Sequence, residues 1–146
     1  MSMRWSRRRM LASSALTAMF ATARPVSGAE AASLPWRNWS GGLVCQPLGR
    51  FSPGTEDELS AFLAKTSGVV RPVGSGHSFS PLVPTEGHLV VIDQLSGMLE
   101  HDPATLQATF GAGTRLGDMG PLLEAAGQAM LNLPDIDRQT LAGATA

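Results

Sequence analysis

Ten residues near the middle of the chain, Arg71-Pro72-Val73-Gly74-Ser75-Gly76-His77-Ser78-Phe79-Ser80, combine residue types that chemistry often uses. A short β-rich run leads into glycines and serines set around one histidine. Glycine permits positive φ and close backbone approach, and successive exposed N–H groups in such a loop form a concavity that suits a phosphate. The imidazole of His77 adds a group able to act as nucleophile or acid–base. The stretch is neither the Gly-x-Gly-x-x-Gly of dinucleotide folds nor a Gly-Lys-Ser/Thr phosphate loop. On residue types alone, a tight turn carrying a surface histidine accounts for the same letters, and both readings stand at this point.

Other candidate groups take simpler readings. Cys45 is the single cysteine, so no disulfide can form within the chain, and it reads as a small buried apolar residue. His88 follows a glycine turn, and His101 falls in Glu100-His101-Asp102-Pro103, which reads as a loop; no further ligands stand at metal spacing. Arg115 and Asp118 read as a solvated pair at a helix start, and Met98, Met119 and Met130 as core.

The elements that must carry these groups are visible in the pattern. Ser52-Pro53-Gly54-Thr55 is a turn into a helix, with Thr55 as cap, Glu58 as its capping-box partner, and Leu59, Phe62 and Leu63 on one face. Gly68 ends that helix. Val69 to Val73 is a short β run stopped by Gly74, and Leu89-Val90-Val91-Ile92 has the continuous apolar character of a strand buried on both faces. Leu106, Ala108 and Phe110 alternate along another strand. A second helix is expected from about Leu116 to Ala126, with Leu116, Met119, Leu122, Leu123 and Ala126 inward. Pro121 argues for a later start or a break. The order helix, strand, strand, strand, helix gives an α+β or α/β domain.

The chain has 146 residues, 43% hydrophobic and 16% charged, with a net charge of −1, which excludes a disordered chain. The charge is segregated. Arg4, Arg7, Arg8, Arg9 and Arg24 precede residue 29, where no acid stands; taking these five from the 11 basic residues leaves 6 against 12 acids, or −6. A remainder of that sign has no electrostatic footprint for nucleic acid. Met10 to Ala23 is an apolar run too short to cross a bilayer of ~30 Å, and small residues follow at Ser27, Gly28 and Ala29. Residues 1–29 therefore read as an export signal, cleaved after Ala29 or Ala31, with no stable membrane span. Ser6-Arg7-Arg8-Arg9-Met10-Leu11 resembles the twin-arginine signal, which implies the twin-arginine (Tat) export machinery as partner, a folded cargo and a periplasmic or extracellular destination.

Five blocks in order over residues 36–146 carry a family resemblance: Trp36-Arg37-Asn38-Trp39-Ser40-Gly41; Ser52-Pro53 with its helix; Arg71 to Ser80; Gly111-Ala112-Gly113-Thr114-Arg115-Leu116-Gly117-Asp118; and Asn132-Leu133-Pro134-Asp135 through Gln139 to Ala146. Together they resemble FAD-binding flavoproteins of the vanillyl-alcohol oxidase/p-cresol methylhydroxylase (PCMH) type, above all the sugar-1,4-lactone (aldonolactone) and alditol oxidases. The resemblance implies an α+β fold, the N-terminal portion of a PCMH-type FAD-binding domain over residues 47–146, preceded by a lead-in segment over 30–46.

At matched positions the resemblance implies that Pro72, Val73, Gly74, Ser75, Gly76 and Ser78 hold the FAD pyrophosphate. It implies that His77 is bonded covalently to the flavin 8α-methyl carbon, and that Asp135, Thr140, Gly143, Ala144 and Thr145 of a second loop contact the flavin and its phosphates. It further implies hydride transfer from the CH–OH of a polyol, sugar or aldonolactone to FAD, and then electron transfer to dioxygen, giving hydrogen peroxide, or to another acceptor. FAD-linked hydroxyacid dehydrogenases of the same fold are the alternative branch, but they generally lack the His77 equivalent. The family pattern continues past Ala146 with a substrate domain and catalytic residues, so no catalytic base is assigned here and the 146-residue chain is expected to be inactive alone, a flavin-binding fragment.

Overall fold

The computed structural model describes residues 34–146; the leader expected over residues 1–29 lies outside the described residues. The described part opens with a two-stranded antiparallel ribbon, β1 (Trp36–Arg37) and β2 (Val44–Cys45). It continues through β3 (Gly49–Phe51), helix α1 (Glu56–Lys65), β4 (Val70–Val73) and β5 (His88–Val91). A hairpin of β6 (Met98–Asp102) and β7 (Gln107–Phe110) follows, then α2 (Leu116–Ala125) and the short α3 (Leu141–Thr145).

β3, β5 and β4 form a parallel sheet in that order, with Gly49 and Val70 both paired to His88. A central parallel strand has neighbours on both edges and cover on both faces, so its apolar residues need not alternate. Leu89 is fully buried and Val90 nearly so, as expected from the unbroken Leu89–Ile92 run; the strand itself ends at Val91. Trp36, Val73 and Leu89 form one core, with the half-buried Cys45 packed against it. A second core of Leu116, Met119 and Leu123 on α2 takes Ala108 and Phe110 of β7, together with Met130 and Leu141.

Several local expectations need correction. In α1 the Thr55 hydroxyl accepts from Glu58 N–H at 3.1 Å, but Glu58 Oε2 accepts from Gly54 N–H at 2.8 Å rather than from Thr55, so the reciprocal half of the box is shifted by one residue. Leu63 is exposed, because α1 lies over the sheet through Phe62, stacked on Phe51 with centroids 4.5 Å apart. The helix stops at Lys65, before Gly68. Leu106 is not in the strand: it takes φ +57° in the turn between β6 and β7. His101 lies in β6 opposite Ala108, not in a loop. In that turn the Thr105 hydroxyl and the Ala104 N–H bond to Asp102 and hold its carboxyl below the usual range.

α2 begins at Leu116 and runs through Pro121. Its start has no side-chain cap; Leu116 N–H donates to Gln139 O at 3.0 Å and Gly117 N–H to Asp137 O at 2.9 Å. Carbonyls from residues 137–139 thus fill the role a capping side chain ordinarily serves. The helix closes with Gly127 N–H on Glu124 O and Gln128 N–H on Leu123 O, the Schellman pattern. Among the described residues no helix is long and apolar enough to cross a membrane.

Candidate functional site

The segment after β4 is pinned from one side by the ribbon β1–β2 and its turn. Asn38, 3% exposed, donates through Nδ2 to Ser78 O at 3.1 Å, while its Oδ1 accepts from Leu43 N–H at 3.0 Å. Trp39 N–H donates to Gly76 O at 3.0 Å, and the indole N–H to His77 O at 3.3 Å. The indole also stacks on the His77 imidazole, with ring centroids 5.2 Å apart and planes at 24°. Gly76 has φ +68°, a left-handed conformation that favours glycine, and an added Cβ would lie 3.4 Å from Trp36 Cζ2. His77 is half-buried, held by backbone below and by an aromatic face beside it.

From the other side comes the chain around Thr140. Arg115 and Thr140 form an isolated antiparallel bridge, Leu141 N–H donates to Thr114 O at 2.8 Å, and Ala142 N–H to Ala112 O at 3.1 Å. Thr140, 4% exposed, caps α3 by accepting from Gly143 N–H at 3.3 Å. This places Thr140 against Gly74, 66 positions earlier. A Cβ added at Gly74 would fall on Thr140 Oγ1 and within 3.2 Å of its Cβ and Cγ2.

The two loops meet at a polar concavity of about 80 Å³, lined by Gly74, Ser75, Asp93, Ser96, Gly113, Arg115, Asp118 and Thr140. Of the twelve residues singled out by resemblance, Gly74, Ser75 and Thr140 line it; Gly76, His77 and Ser78 continue along the pinned loop. Asp135, Ala144 and Thr145 are exposed and do not line it, and neither do Pro72, Val73 and Gly143; Val73 is core, and Gly143 meets Thr140 through the α3 cap. Arg115 and Asp118 are exposed as expected, but they form no ion pair with each other and both face the concavity. Asp93 accepts from the Ser52 hydroxyl at 2.6 Å.

Reasoning from the sequence missed Asn38 and Trp39 as loop supports, although the Trp-Arg-Asn-Trp block was noticed. It also missed Asp93, Ser96 and Gly113 as lining residues, whose spacing to the Gly-Ser-Gly-His stretch carries no local signal. Among the described residues no three His, Cys, Asp or Glu side chains are grouped to hold a metal. A larger apolar groove of about 450 Å³ lies elsewhere along α2, lined by Leu123, Met130 and Leu133 among others.

What this concavity can hold follows from its chemistry. The Ser75 hydroxyl is buried and has no hydrogen-bond partner among the described residues. An orphaned buried hydroxyl costs about 1–3 kcal/mol, which a ligand oxygen would relieve. Gly74 leaves its backbone bare where a side chain would collide with Thr140, and Arg115 lines the same concavity. The Gly74 backbone, the Ser75 hydroxyl and Arg115 are groups that suit a phosphate of a dinucleotide, although Asp93 and Asp118 also line the concavity and set two carboxylates against the one guanidinium.

The contact at Gly74 is testable without any ligand. Gly74→Ala is expected to cost about 1–3 kcal/mol through the collision with Thr140. Thr140→Ala alone is expected to cost about 1 kcal/mol for the lost cap of α3. The double variant is expected to be less destabilised than the sum, because only the residue-140 Cβ then remains, at 3.2 Å. Urea unfolding of the four proteins gives the coupling, and strict additivity would show that the two loops do not touch.

Fold and site together define a small mixed helix–strand unit whose turns converge on a small polar concavity. The chain belongs to the FAD binding domain family, whose model matches residues 47–146, and FAD is the cofactor of that domain. It is 38% identical over 114 residues to L-gulono-1,4-lactone dehydrogenase of Mycobacterium tuberculosis, covering 76% of this chain and 27% of that protein. It is 33% identical over 129 residues to D-arabinono-1,4-lactone oxidase of Eremothecium gossypii, covering 81% and 24%. Cholesterol oxidase from B. sterolicum shares the fold over 75% of this chain and 22% of its own, at TM-score 0.62 and 20% identity. The chain thus spans about a quarter of the length of the curated relatives it matches.

Proposed function

We propose that this chain is the FAD-holding front part of an oxidoreductase that takes hydride from the CH–OH group of a sugar lactone or polyol, with dioxygen as the electron acceptor. The observation that carries the reading is the concavity built jointly by the Gly74–Ser75 turn and Thr140, with the buried Ser75 hydroxyl of that turn left without a partner among the described residues. Its similarity to a lactone dehydrogenase and a lactone oxidase supports the substrate class. FAD, when bound, supplies the two-electron acceptor. The chain's own residues would hold it: the Gly74, Ser75 and Gly76 backbone with the Ser75 and Ser78 hydroxyls on the pyrophosphate, and Thr140 from the second loop. His77, in the same loop, is the residue that would hold the flavin covalently, through its 8α-methyl carbon. Activation of the substrate hydroxyl is assigned to no residue of this chain. The leader over residues 1–29 directs the folded protein to twin-arginine export, so a covalent tether would keep the flavin from being lost outside the cell.

Titration of the purified chain with FAD, followed by flavin fluorescence and by the rise in Tm, tests the assignment. Ser75→Ala is the informative variant. It is expected to leave the stability of the free chain unchanged or slightly raised, since it removes an unpaired hydroxyl. It is expected to weaken FAD binding about tenfold, the loss of one hydrogen bond to a charged phosphate. No FAD binding by the unsubstituted chain, or a Ser75→Ala variant that binds as well, would remove the basis for the proposal.

A further inference from the structure

We propose that Trp39 is the positioning residue for His77: its indole fixes the plane and depth of the imidazole for bonding to the flavin. The inference rests on the reading of His77 given above, and goes beyond it by assigning a group that acts through His77. Three separate contacts tie Trp39 to the loop. Its backbone N–H bonds to Gly76 O at 3.0 Å, its indole N–H to His77 O at 3.3 Å, and its ring stacks on the imidazole at 5.2 Å with planes 24° apart. A residue serving only to fold the loop would need the first of these and no aromatic face. Trp39 is nonetheless 57% exposed, so the stack does not arise from core packing. Phe79, 72% exposed, also meets the indole edge-on, with ring centroids 6.1 Å apart, which limits the rotamers open to Trp39.

The reaction that such placement serves has a stringent geometry. One imidazole N–C bond forms at the 8α carbon, while the imidazole N–H and one methyl C–H are given up. The two protons and two electrons released pass to the flavin ring and on to dioxygen, which leaves as hydrogen peroxide. Attack at a methyl carbon needs the nitrogen lone pair aimed along one line. A ring free to turn about its side-chain torsions spends most of its time elsewhere.

The test incubates the purified full chain with excess FAD in air and compares Trp39→Phe and Trp39→Leu with the unsubstituted protein. Covalent flavin is read as the mass increase of the denatured polypeptide against time, and non-covalent binding as fluorescence quenching at short times. NMR of the His77 ring protons reports the stack, whose indole ring current moves their signals. Trp39→Leu is expected to slow covalent attachment at least about tenfold with a much smaller change in non-covalent affinity, and to abolish the ring-current shift. Trp39→Phe, which keeps an aromatic face and loses the indole N–H, is expected to restore most of both, and it also serves if the leucine variant fails to fold. Attachment in Trp39→Leu at the unsubstituted rate overturns the role of Trp39 alone. A mass increase absent from the unsubstituted chain that binds FAD overturns the reading of His77, and the present inference with it.

Discussion

Gly113→Ala is expected to destabilise the protein by about 3 kcal/mol and to abolish detectable FAD binding at concentrations that saturate the unsubstituted chain. The added Cβ would fall on the carbonyl oxygen of Ile92, with Ile92 C at 2.7 Å and Asp93 Cα at 3.1 Å. All three atoms are main chain, so no side chain can turn away to make room. Ile92 and Asp93 follow directly on β5, the central strand of the parallel sheet, and Ile92 N–H is bonded to Val73 O at 3.4 Å. The turn on the other side is equally fixed: Gly113 N–H donates to Leu95 O at 2.8 Å, and the buried Thr114 hydroxyl donates to Gly111 O at 2.6 Å. Relief therefore requires moving either the end of β5 or the turn, and both line the polar concavity through Asp93 and Gly113. Gly120→Ala provides the contrast, because apart from its chain neighbours and the helix's own backbone no atom lies within 4 Å of its added Cβ. There the helix-propensity gain of alanine is opposed by the crowding of a Cβ against the following Pro121, and the net change is expected to stay within about 1 kcal/mol. Thermal and urea unfolding of the two variants measure the difference, and a Gly113→Ala protein as stable as the unsubstituted one would mean that the turn does not press on the strand.

The parts of this architecture that were legible in the sequence are those fixed by neighbours in the chain. The Thr55 cap with Glu58, the unbroken apolar run of β5, and the Gly-Ser-Gly-His loop after β4 each depend on residues within a few positions. The start of α2 was obscured for the opposite reason. Its cap comes from the carbonyls of Asp137 and Gln139, some twenty residues later, so nothing at Arg115 marks it and Pro121 suggested a later start. β6 escaped notice because only Met98 in it is half-buried, leaving no alternation to read. The candidate site was legible as a motif but not as a place. The meeting of Gly74 with Thr140 and of His77 with Trp39 joins residues 66 and 38 positions apart, and no periodicity encodes such contacts. Asp135, Ala144 and Thr145 shared a sequence block with Thr140, yet a short helix and its cap decide which members of the block face the concavity.

His77→Ala is expected to eliminate covalent flavin completely while changing stability by less than about 1 kcal/mol. The separation of the two effects follows from how the loop is held. Asn38 Nδ2 reaches Ser78 O, Trp39 N–H reaches Gly76 O, and the indole N–H reaches the His77 main-chain oxygen. None of these bonds uses the imidazole, whose ring contact among the described residues is the stack with Trp39. Removing the ring therefore leaves the backbone of the loop after β4 in place, and non-covalent FAD binding is expected to persist in the variant. Denatured, acid-washed protein would then carry no flavin fluorescence, whereas the unsubstituted protein retains it. Dialysis after FAD loading adds a second readout, since the variant is expected to release its flavin and the unsubstituted chain to keep it. A fluorescent acid-washed His77→Ala protein would place the attachment on another side chain. A variant that unfolds would show instead that the stack with Trp39 supports the loop and is more than a contact between two already positioned rings.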